Sequence, residues 1–205
     1  MLRQGSRAAS QAGTSPVTAN SAAAKKLVGH GHVWLGVSAE NQDAADERIP
    51  HLLATPAAVR FVSLEPLLGA VDISAHLGLW RCSCCGDAMP DGVGTSAWRW
   101  SGRAWEHKCP GNIPQAGHFE ARRFGGLDWV MVGGESGPKA RPCDAGWVGD
   151  IVDQCQAASV PVFVKQLGAR PEANGERWYL RDRKGGNPLE WPPAMQVREW
   201  PEVRA

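Results

Sequence analysis

The chain has 205 residues, of which 43% are hydrophobic and 21% are charged, and its formal net charge is +1. A chain of this length buries a substantial core and usually forms one domain, with room for a small appended module. The near-neutral charge excludes a general attraction to nucleic acid or anionic lipid. No apolar run approaches the roughly 20 residues that a membrane-spanning helix needs, so we expect a soluble globular protein without a membrane partner.

The first 30 residues have no pattern that would form a core. They contain Arg3, Arg7, Lys25 and Lys26 but no acidic residue, and small residues dominate the rest. The segment lacks the amphipathic face of a transit peptide and the apolar stretch of a secretory signal. We therefore predict a disordered or low-complexity start over residues 1–30.

Four apolar runs predict the strands of a sheet. Each run is nearly continuous, as in strands that are covered on both faces. The predicted strands are residues 32–40, 59–65, 127–135 and 160–167. Apolar residues at helical spacing predict one helix that begins after Asn41 or Asp43 and ends at Leu53, and a second helix over residues 145–158.

Strands that alternate with helices are typical of right-handed parallel crossovers, so the predicted fold class is α/β with a parallel sheet. Four strands are too few to close an eight-stranded barrel, which typically needs about 250 residues. We therefore expect an open sheet or part of a barrel, formed by residues 31–79 and 126–205. From Arg170 on, the mixture of Pro, Gly, Trp and charge indicates an ordered but irregular tail.

Residues 80–125 interrupt this alternation and form a predicted irregular insertion that contains four cysteines. Such clustering favours metal binding over disulfides in a reducing compartment, and we place the protein in the cytoplasm. Cys82 and Cys85 form a Cys-x-x-Cys pair that precedes a glycine, as in zinc knuckles. His107 and Cys109 would complete a zinc site. Unligated thiols are the alternative, because the spacing of the second pair is irregular.

Within the insertion, tryptophans alternate with cations at Trp98, Arg99, Trp100, Arg103 and Trp105. This combination can stack bases and contact phosphate, which would suit nucleic acid. The alternative, which we prefer, is a β-hairpin with tryptophans on its two strands.

Three of the predicted strands end in a glutamate, namely Glu40, Glu65 and Glu135, while Lys165 and Gln166 end the fourth. Ligands of parallel α/β folds bind beyond the carboxyl ends of the strands. We therefore predict a small-molecule site at this rim. The alternative is that each glutamate only stabilises the start of the next helix through its dipole. The carboxylates could bind a metal, a ligand's amino group or a substrate cation, or act as general base, so no catalytic residue is assigned.

Three glycines, Gly133, Gly134 and Gly137, lie around the third glutamate and Ser136. Glycine allows a backbone to approach a ligand closely, so Gly133, Gly134 and Ser136 join the ligand-binding candidates. They form neither the dinucleotide fingerprint nor a phosphate loop. A tight turn after the strand is the alternative.

Three segments carry a resemblance to a known family: WLGVSAENQDAADERIPHLLATPAAVRFVSLEPLLGAVDI, LDWVMVGGESGPKARP and VPVFVKQLG. Together with RDRKGGNPLEWPPAMQVREWP, they are similar to the phage family named for mycobacteriophage genes 37 and 68. The resemblance runs from about His32 to Pro201, apart from the insertion. It implies a partial TIM-barrel-like domain of the radical-SAM type, from a family whose function is uncharacterised.

The resemblance also implies that full-length members use S-adenosylmethionine and an iron–sulfur cluster, which an amino-terminal three-cysteine motif holds. This chain has no cysteine before His32. We therefore expect only the carboxyl-terminal part of such a barrel. The strand-end residues of the predicted rim match positions that recur in the family.

Three function hypotheses follow. The first is a phage or prophage protein of a bacterial host, similar to half of a radical-SAM-like barrel and inactive alone. The second is a zinc-stabilised binding module for nucleic acid or protein. The third is a metal-dependent enzyme in which Glu65 and Glu135 bind a divalent ion. Neither the residues nor the resemblance decides whether the chain is an enzyme.

Overall fold

The structure is a computed structural model that describes residues 33–82, 98–100, 105–108 and 118–202; between residues 80 and 124 it describes the backbone alone. The start predicted over residues 1–30 lies outside these ranges. The described strands and helices are β1 (Trp34–Ser38), α1 (Gln42–Leu53), β2 (Val59–Leu64), β3 (Leu79–Cys82), β4 (Trp98–Trp100), β5 (Trp105–Lys108), β6 (His118–Phe124), β7 (Trp129–Gly133), β8 (Cys143–Asp144), α2 (Ala145–Ala157), β9 (Val162–Gln166), β10 (Pro171–Ala173) and β11 (Glu176–Arg177).

Both helices begin at a capping side chain. The Oδ1 of Asn41 accepts a hydrogen bond of 2.9 Å from the backbone N–H of Ala44, and Asp144 Oδ1 accepts one of 2.7 Å from Gly146. Such caps satisfy backbone donors that have no partner within the helix. The caps fix the points at which the chain leaves β1 and β8 and enters a helix. Neither helix in the described ranges is long and apolar enough to cross a membrane.

Four parallel strands form the central sheet, in the order β1-β2-β7-β9. This confirms the predicted α/β class with a parallel sheet. The register places Ser38 beside Ser63 and Leu64 beside Val132. Because the strands are parallel and nearly in step, the residues that follow them meet at one edge of the sheet.

The two helices cover one face of this sheet. The strand side chains on the helix-covered face are aliphatic and almost completely buried: Val62, Leu64, Val130, Val132, Val162 and Val164. They form one core with Ile49 of α1 and Ile151 of α2. Full burial of a side chain of this size contributes about 1.5–3 kcal/mol relative to exposure. The helix-covered face therefore supplies most of the apolar core.

The opposite face, which we call the open face, carries aromatic side chains at the amino ends of the strands. Trp129 lies at the centre and is 4% exposed. Its ring lies 6.0 Å from Trp34, 5.7 Å from Phe61 and 6.1 Å from Phe163, between ring centroids. Trp200 stacks on it at 4.8 Å. Within the part of the chain that the structure describes, no α-helix covers this face.

The insertion is more regular than the sequence predicts. Its backbone forms a four-stranded antiparallel sheet in the order β3-β6-β5-β4. Trp100 lies opposite Trp105 in the pairing of β4 with β5, which confirms the preferred hairpin. The sequence did not predict this sheet. β3, β4 and β5 have only three or four residues each, too few to show an alternating pattern, and the seven-residue β6 was missed.

The tail is ordered but irregular over the described residues 170–202, as predicted. It contains the short strands β10 and β11 and two 3-10 turns, Pro188–Glu190 and Pro193–Met195. It then returns to the sheet, where Arg198 forms an antiparallel bridge with Phe163 of β9.

Candidate functional site

The carboxyl ends of β1, β2 and β7 carry the three predicted glutamates, on three adjacent strands. Lys165 and Gln166 lie at the end of β9, the fourth strand in order. The sequence therefore predicted the position of this rim correctly. The contacts that the side chains make there decide what the rim can do.

Glu65 forms the centre of the rim, and its side chain is 17% exposed. Its Oε2 accepts a hydrogen bond from Lys165 Nζ at 3.0 Å, and its Oε1 accepts one from Gln166 Nε2 at 3.2 Å. The same Gln166 Nε2 donates to the carbonyl oxygen of Gly134 at 3.1 Å. The structure thus brings together three of the predicted residues. We call Glu65, Lys165 and Gln166 the rim cluster.

Gly133 allows the rim cluster to form. β7 lies between β2 and β9, and neighbouring strands are about 4.8 Å apart, so Glu65 and Lys165 must reach each other across it. In β7, Gly133 pairs with Gln166, and a Cβ at Gly133 would lie 2.9 Å from the carbonyl oxygen of Gln166. A side chain at this position would crowd the backbone and side chain of Gln166, which donates to Glu65. Neither Gly133 nor Gly134 has a positive φ, so close packing rather than a tight turn requires them.

A β-bulge aims Lys165 at Glu65. Val132 pairs with Val164, but the next residue, Gly133, pairs with Gln166, so the register shifts by one. Lys165 is therefore the extra residue of β9. Bulges re-aim side chains and are frequent beside active sites. Here the bulge places consecutive side chains of β9 within reach of the same carboxylate.

Glu135 binds an arginine that the sequence did not single out. Arg141 donates from Nε to Glu135 Oε2 at 2.8 Å and from Nη2 to Oε1 at 3.3 Å, and its backbone N–H donates to Oε2 at 3.0 Å. Hydrogen bonds to the ionised form favour it. The bonds from the Arg141 side chain and backbone lower the pKa of Glu135.

Glu40 binds a second arginine, from α1. Its Oε2 accepts a hydrogen bond from Arg48 Nη1 at 3.0 Å, and the same nitrogen donates to Ser38 O at 2.8 Å. The pKa of Glu40 is lowered, first by its backbone N–H and then by Arg48, with a smaller contribution from the charge of Arg141. Arg141 therefore acts on both Glu40 and Glu135.

Each of the three carboxylates thus has its own cation, so the rim offers positive and negative groups together. Within residues 33–79 and 125–202, no group of three or more His, Cys, Asp or Glu side chains is arranged to hold a metal ion. Ser136 is exposed just beyond the strand end. The arrangement suits a ligand with both charges better than a bare cation.

The connection after β2 forms backbone hydrogen bonds with the residues at the ends of β7 and β1. The backbone N–H of Leu67 donates to Gly133 O, and that of Leu68 donates to Glu40 O, both at 2.9 Å. This connection therefore bridges the ends of β7 and β1 across β2. This holds the strand ends, and the side chains that follow them, in fixed positions.

The predicted zinc ligands fall on the insertion. Cys85 and Cys109 lie outside the described residues, and Cys82 and His107 are described by backbone alone. The zinc site therefore stays a prediction. Two further cysteines, Cys143 and Cys155, are buried, and burial raises the pKa of the Cys143 thiol to about 12.

Comparisons with known proteins place most of the chain in one family. The family described as "Protein of unknown function (DUF5131)" matches residues 7–192. The matched residues include the four strands of the parallel sheet, both helices, the insertion and the rim cluster. No curated protein and no solved structure matches the chain significantly.

Proposed function

We propose that this chain, which belongs to the DUF5131 family of proteins of unknown function, is a ligand-binding module similar to the carboxyl-terminal part of a radical-SAM-like barrel. It would bind a small molecule at the carboxyl ends of the parallel strands. We also propose that the protein comes from a phage or prophage and that it is located in the bacterial cytoplasm.

The rim cluster carries this proposal. It lies on the open face, at the end of the sheet where parallel α/β folds bind ligands. Lys165 is 54% exposed and so remains accessible while it contacts Glu65. The bulge in β9 brings Lys165 and Gln166 to the same carboxylate, and bulges of this kind are frequent next to active sites. Both features favour a site that is built to present charged groups.

The balance of charges supports a class of ligand. Glu65 can accept hydrogen bonds from an ammonium group, and Lys165 can bind a carboxylate. We therefore propose a ligand with an amino-acid-like, zwitterionic part. S-adenosylmethionine, which the phage-family resemblance implies for full-length members, contains such a part. Glu65, Lys165 and Gln166 would hold it.

The described cysteines do not fit an iron–sulfur cluster. A cluster needs thiolate ligands, whereas Cys143 and Cys155 are buried in the core and the pKa of Cys143 is raised to about 12. We therefore derive no reaction through a cluster. Binding, rather than a catalytic step, is the function proposed for these residues.

Calorimetric titration with S-adenosylmethionine tests the proposal. Glu65→Gln removes the charge at the rim and leaves the shape of the side chain. A charge-assisted hydrogen bond contributes about 1.5–3 kcal/mol, so the affinity should fall about 10- to 100-fold. Asp128→Asn is the matched control, because Asp128 accepts hydrogen bonds from Arg60 at the opposite end of the same sheet.

The expected result is binding by the parent and by Asp128→Asn, and weak binding by Glu65→Gln. Equal affinity for all three proteins would place the ligand elsewhere. If the parent binds neither S-adenosylmethionine nor methionine, the proposed ligand class is wrong.

A zinc-stabilised binding module is the second candidate. Two of its four predicted ligands, Cys82 and His107, lie on β3 and β5 of the small antiparallel sheet, and β6 runs between them. We expect one zinc per chain by elemental analysis and none in Cys82→Ser. Binding of single-stranded nucleic acid that weakens with salt would support this candidate.

A further inference from the structure

The outer edge of β9 is closed by residues 197–200, which we call the strap. Strand edges expose backbone N–H and C=O groups that can pair with another chain. On β9 these are the groups of Val162 and Val164, which point away from β7. The strap occupies the place that a fifth strand would take.

All four of these backbone groups have a partner in the strap. The carbonyl of Val162 accepts a hydrogen bond from the Glu199 N–H at 2.9 Å, and the Val162 N–H donates to Glu199 Oε2 at 3.2 Å. The N–H of Val164 donates to Val197 O at 2.9 Å, and its carbonyl accepts from Arg198 Nε at 3.2 Å. Two of the four partners are side chains, so the strap closes the edge without forming a full strand.

Arg198 also anchors the strap to the rest of the tail. Its Nη2 donates to Lys165 O at 3.1 Å and to Gly186 O at 3.0 Å. Its guanidinium lies 5.5 Å from the ring centroid of Phe163 and 5.3 Å from that of Trp191, within the range of cation–π contacts. One side chain therefore holds the strap against both the sheet and the tail.

The strap also covers part of the open face. Trp129 Nε1 donates to Glu199 O at 2.9 Å, and Trp200 stacks on Trp129 while remaining 63% exposed. Release of the strap would therefore uncover the aromatic cluster together with the edge of β9.

The other edge of the sheet is different. Among the described residues β1 pairs with β2 alone, and its sequence, WLGVS, contains neither charge nor proline. Natural edge strands often use charge or proline to prevent pairing with another chain. The structure therefore closes the β9 edge with a dedicated segment, whereas on β1 one outer carbonyl, that of Ser38, accepts a hydrogen bond from Arg48 Nη1 at 2.8 Å.

We propose that the strap is an intramolecular cap, and that its release allows β9 to pair with β1 of a second copy of this chain. Two copies would bring eight parallel strands together, the number in a closed TIM-like barrel. Their open faces would then bury the aromatic clusters against each other. The choice of a second copy as partner rests on the partial barrel of the proposed function.

Sedimentation equilibrium of the full chain tests the cap. The double variant Arg198→Ala/Glu199→Pro removes both side-chain contacts and the Glu199 N–H, and so three of the four edge partners. Arg177→Ala/Glu202→Ala is the matched control, because it removes the same charges at exposed positions of the tail. The parent and the control should be monomeric. The double variant should form a dimer whose fraction rises with concentration.

Circular dichroism shows whether the double variant folds. If it does not fold, the single variant Arg198→Ala is examined for dimers by sedimentation equilibrium instead, because it leaves both backbone hydrogen bonds of the strap in place. Monomers of the folded release variant at every concentration would overturn the proposal, as would a parent that dimerises to the same extent.

The partner strand is tested separately. Ser38→Pro removes an N–H from the outer edge of β1, and in the released variant it should restore the monomer. A dimer that persists would overturn the pairing with β1. None of these variants replaces a residue of the rim cluster, and the titration with S-adenosylmethionine is made on the parent, so it remains an independent test of the proposed function.

Discussion

The two faces of the parallel sheet are built from different side chains. On the helix-covered face, valines and leucines of the strands are buried against α1 and α2. On the open face, aromatic rings lie at the amino ends of the strands and ion pairs lie at the carboxyl ends. The difference indicates that the helix-covered face supplies most of the apolar core, whereas the open face carries the aromatic cluster and the charged rim.

Truncation of the core should have the largest effect on stability. Ile151 of α2 is fully buried on the helix-covered face. Ile151→Ala should lower the free energy of unfolding by about 2–5 kcal/mol, from lost burial and the cavity left behind. Met131→Ala, a truncation of similar size at a half-buried position of the open face, should cost less than this. Urea denaturation measures the free energy of unfolding of both variants. Equal losses would contradict the proposed difference between the two faces.

A side chain at Gly133 should have an intermediate effect. Gly133→Ala places a Cβ 2.9 Å from Gln166 O, and overpacking of this kind costs about 1–3 kcal/mol. It should also weaken binding at the rim, because it crowds Gln166, which donates to Glu65. Gly69→Ala is the control, since nothing lies within 4 Å of a Cβ there. If Gly133→Ala and Gly69→Ala have the same free energy of unfolding and the same affinity for the ligand, the lack of a side chain at Gly133 has no role at the rim.

The smallest effect concerns the exposed ion pair of Glu135. Its lowered pKa means that the contact stabilises the protein above the ordinary pKa of glutamate, about 4.3, and that this contribution is lost as the pH falls through the lowered value. Arg141→Met should therefore raise the pKa of Glu135, as measured by NMR titration. Arg48→Met should raise the pKa of Glu40 instead. If the pKa of Glu135 is the same in Arg141→Met as in the parent, the contact between Arg141 and Glu135 is contradicted.

Much of the parallel domain could be predicted from the sequence. The apolar runs give the strands to within a few residues, and Asn41 marks the start of α1 because a cap depends on neighbouring residues only. The insertion could not be predicted in the same way. Three of its strands have three or four residues, and the pairing of all four strands is decided by contacts between segments that are separate in sequence.

The position of the rim could be predicted, but its contacts could not. Strand ends of a parallel sheet must share one edge, so the glutamates had to lie near one another. Arg48 and Arg141 were missed because nothing in a single sequence shows that these side chains turn back toward the strand ends. The role of Gly133 was also hidden, since it depends on a bulge in a strand more than 30 residues away.

An NMR titration of the labelled parent with S-adenosylmethionine tests the central claim most directly. The claim predicts that the shifted backbone amides cluster at the rim, around Glu65, Gly134, Glu135 and Gln166. Amides at the opposite end of the sheet, near Asp128, should remain unchanged, and Glu65→Gln should suppress the shifts. Shifts centred on the opposite end, or equal shifts in Glu65→Gln, would contradict the proposal that the rim cluster is the binding site.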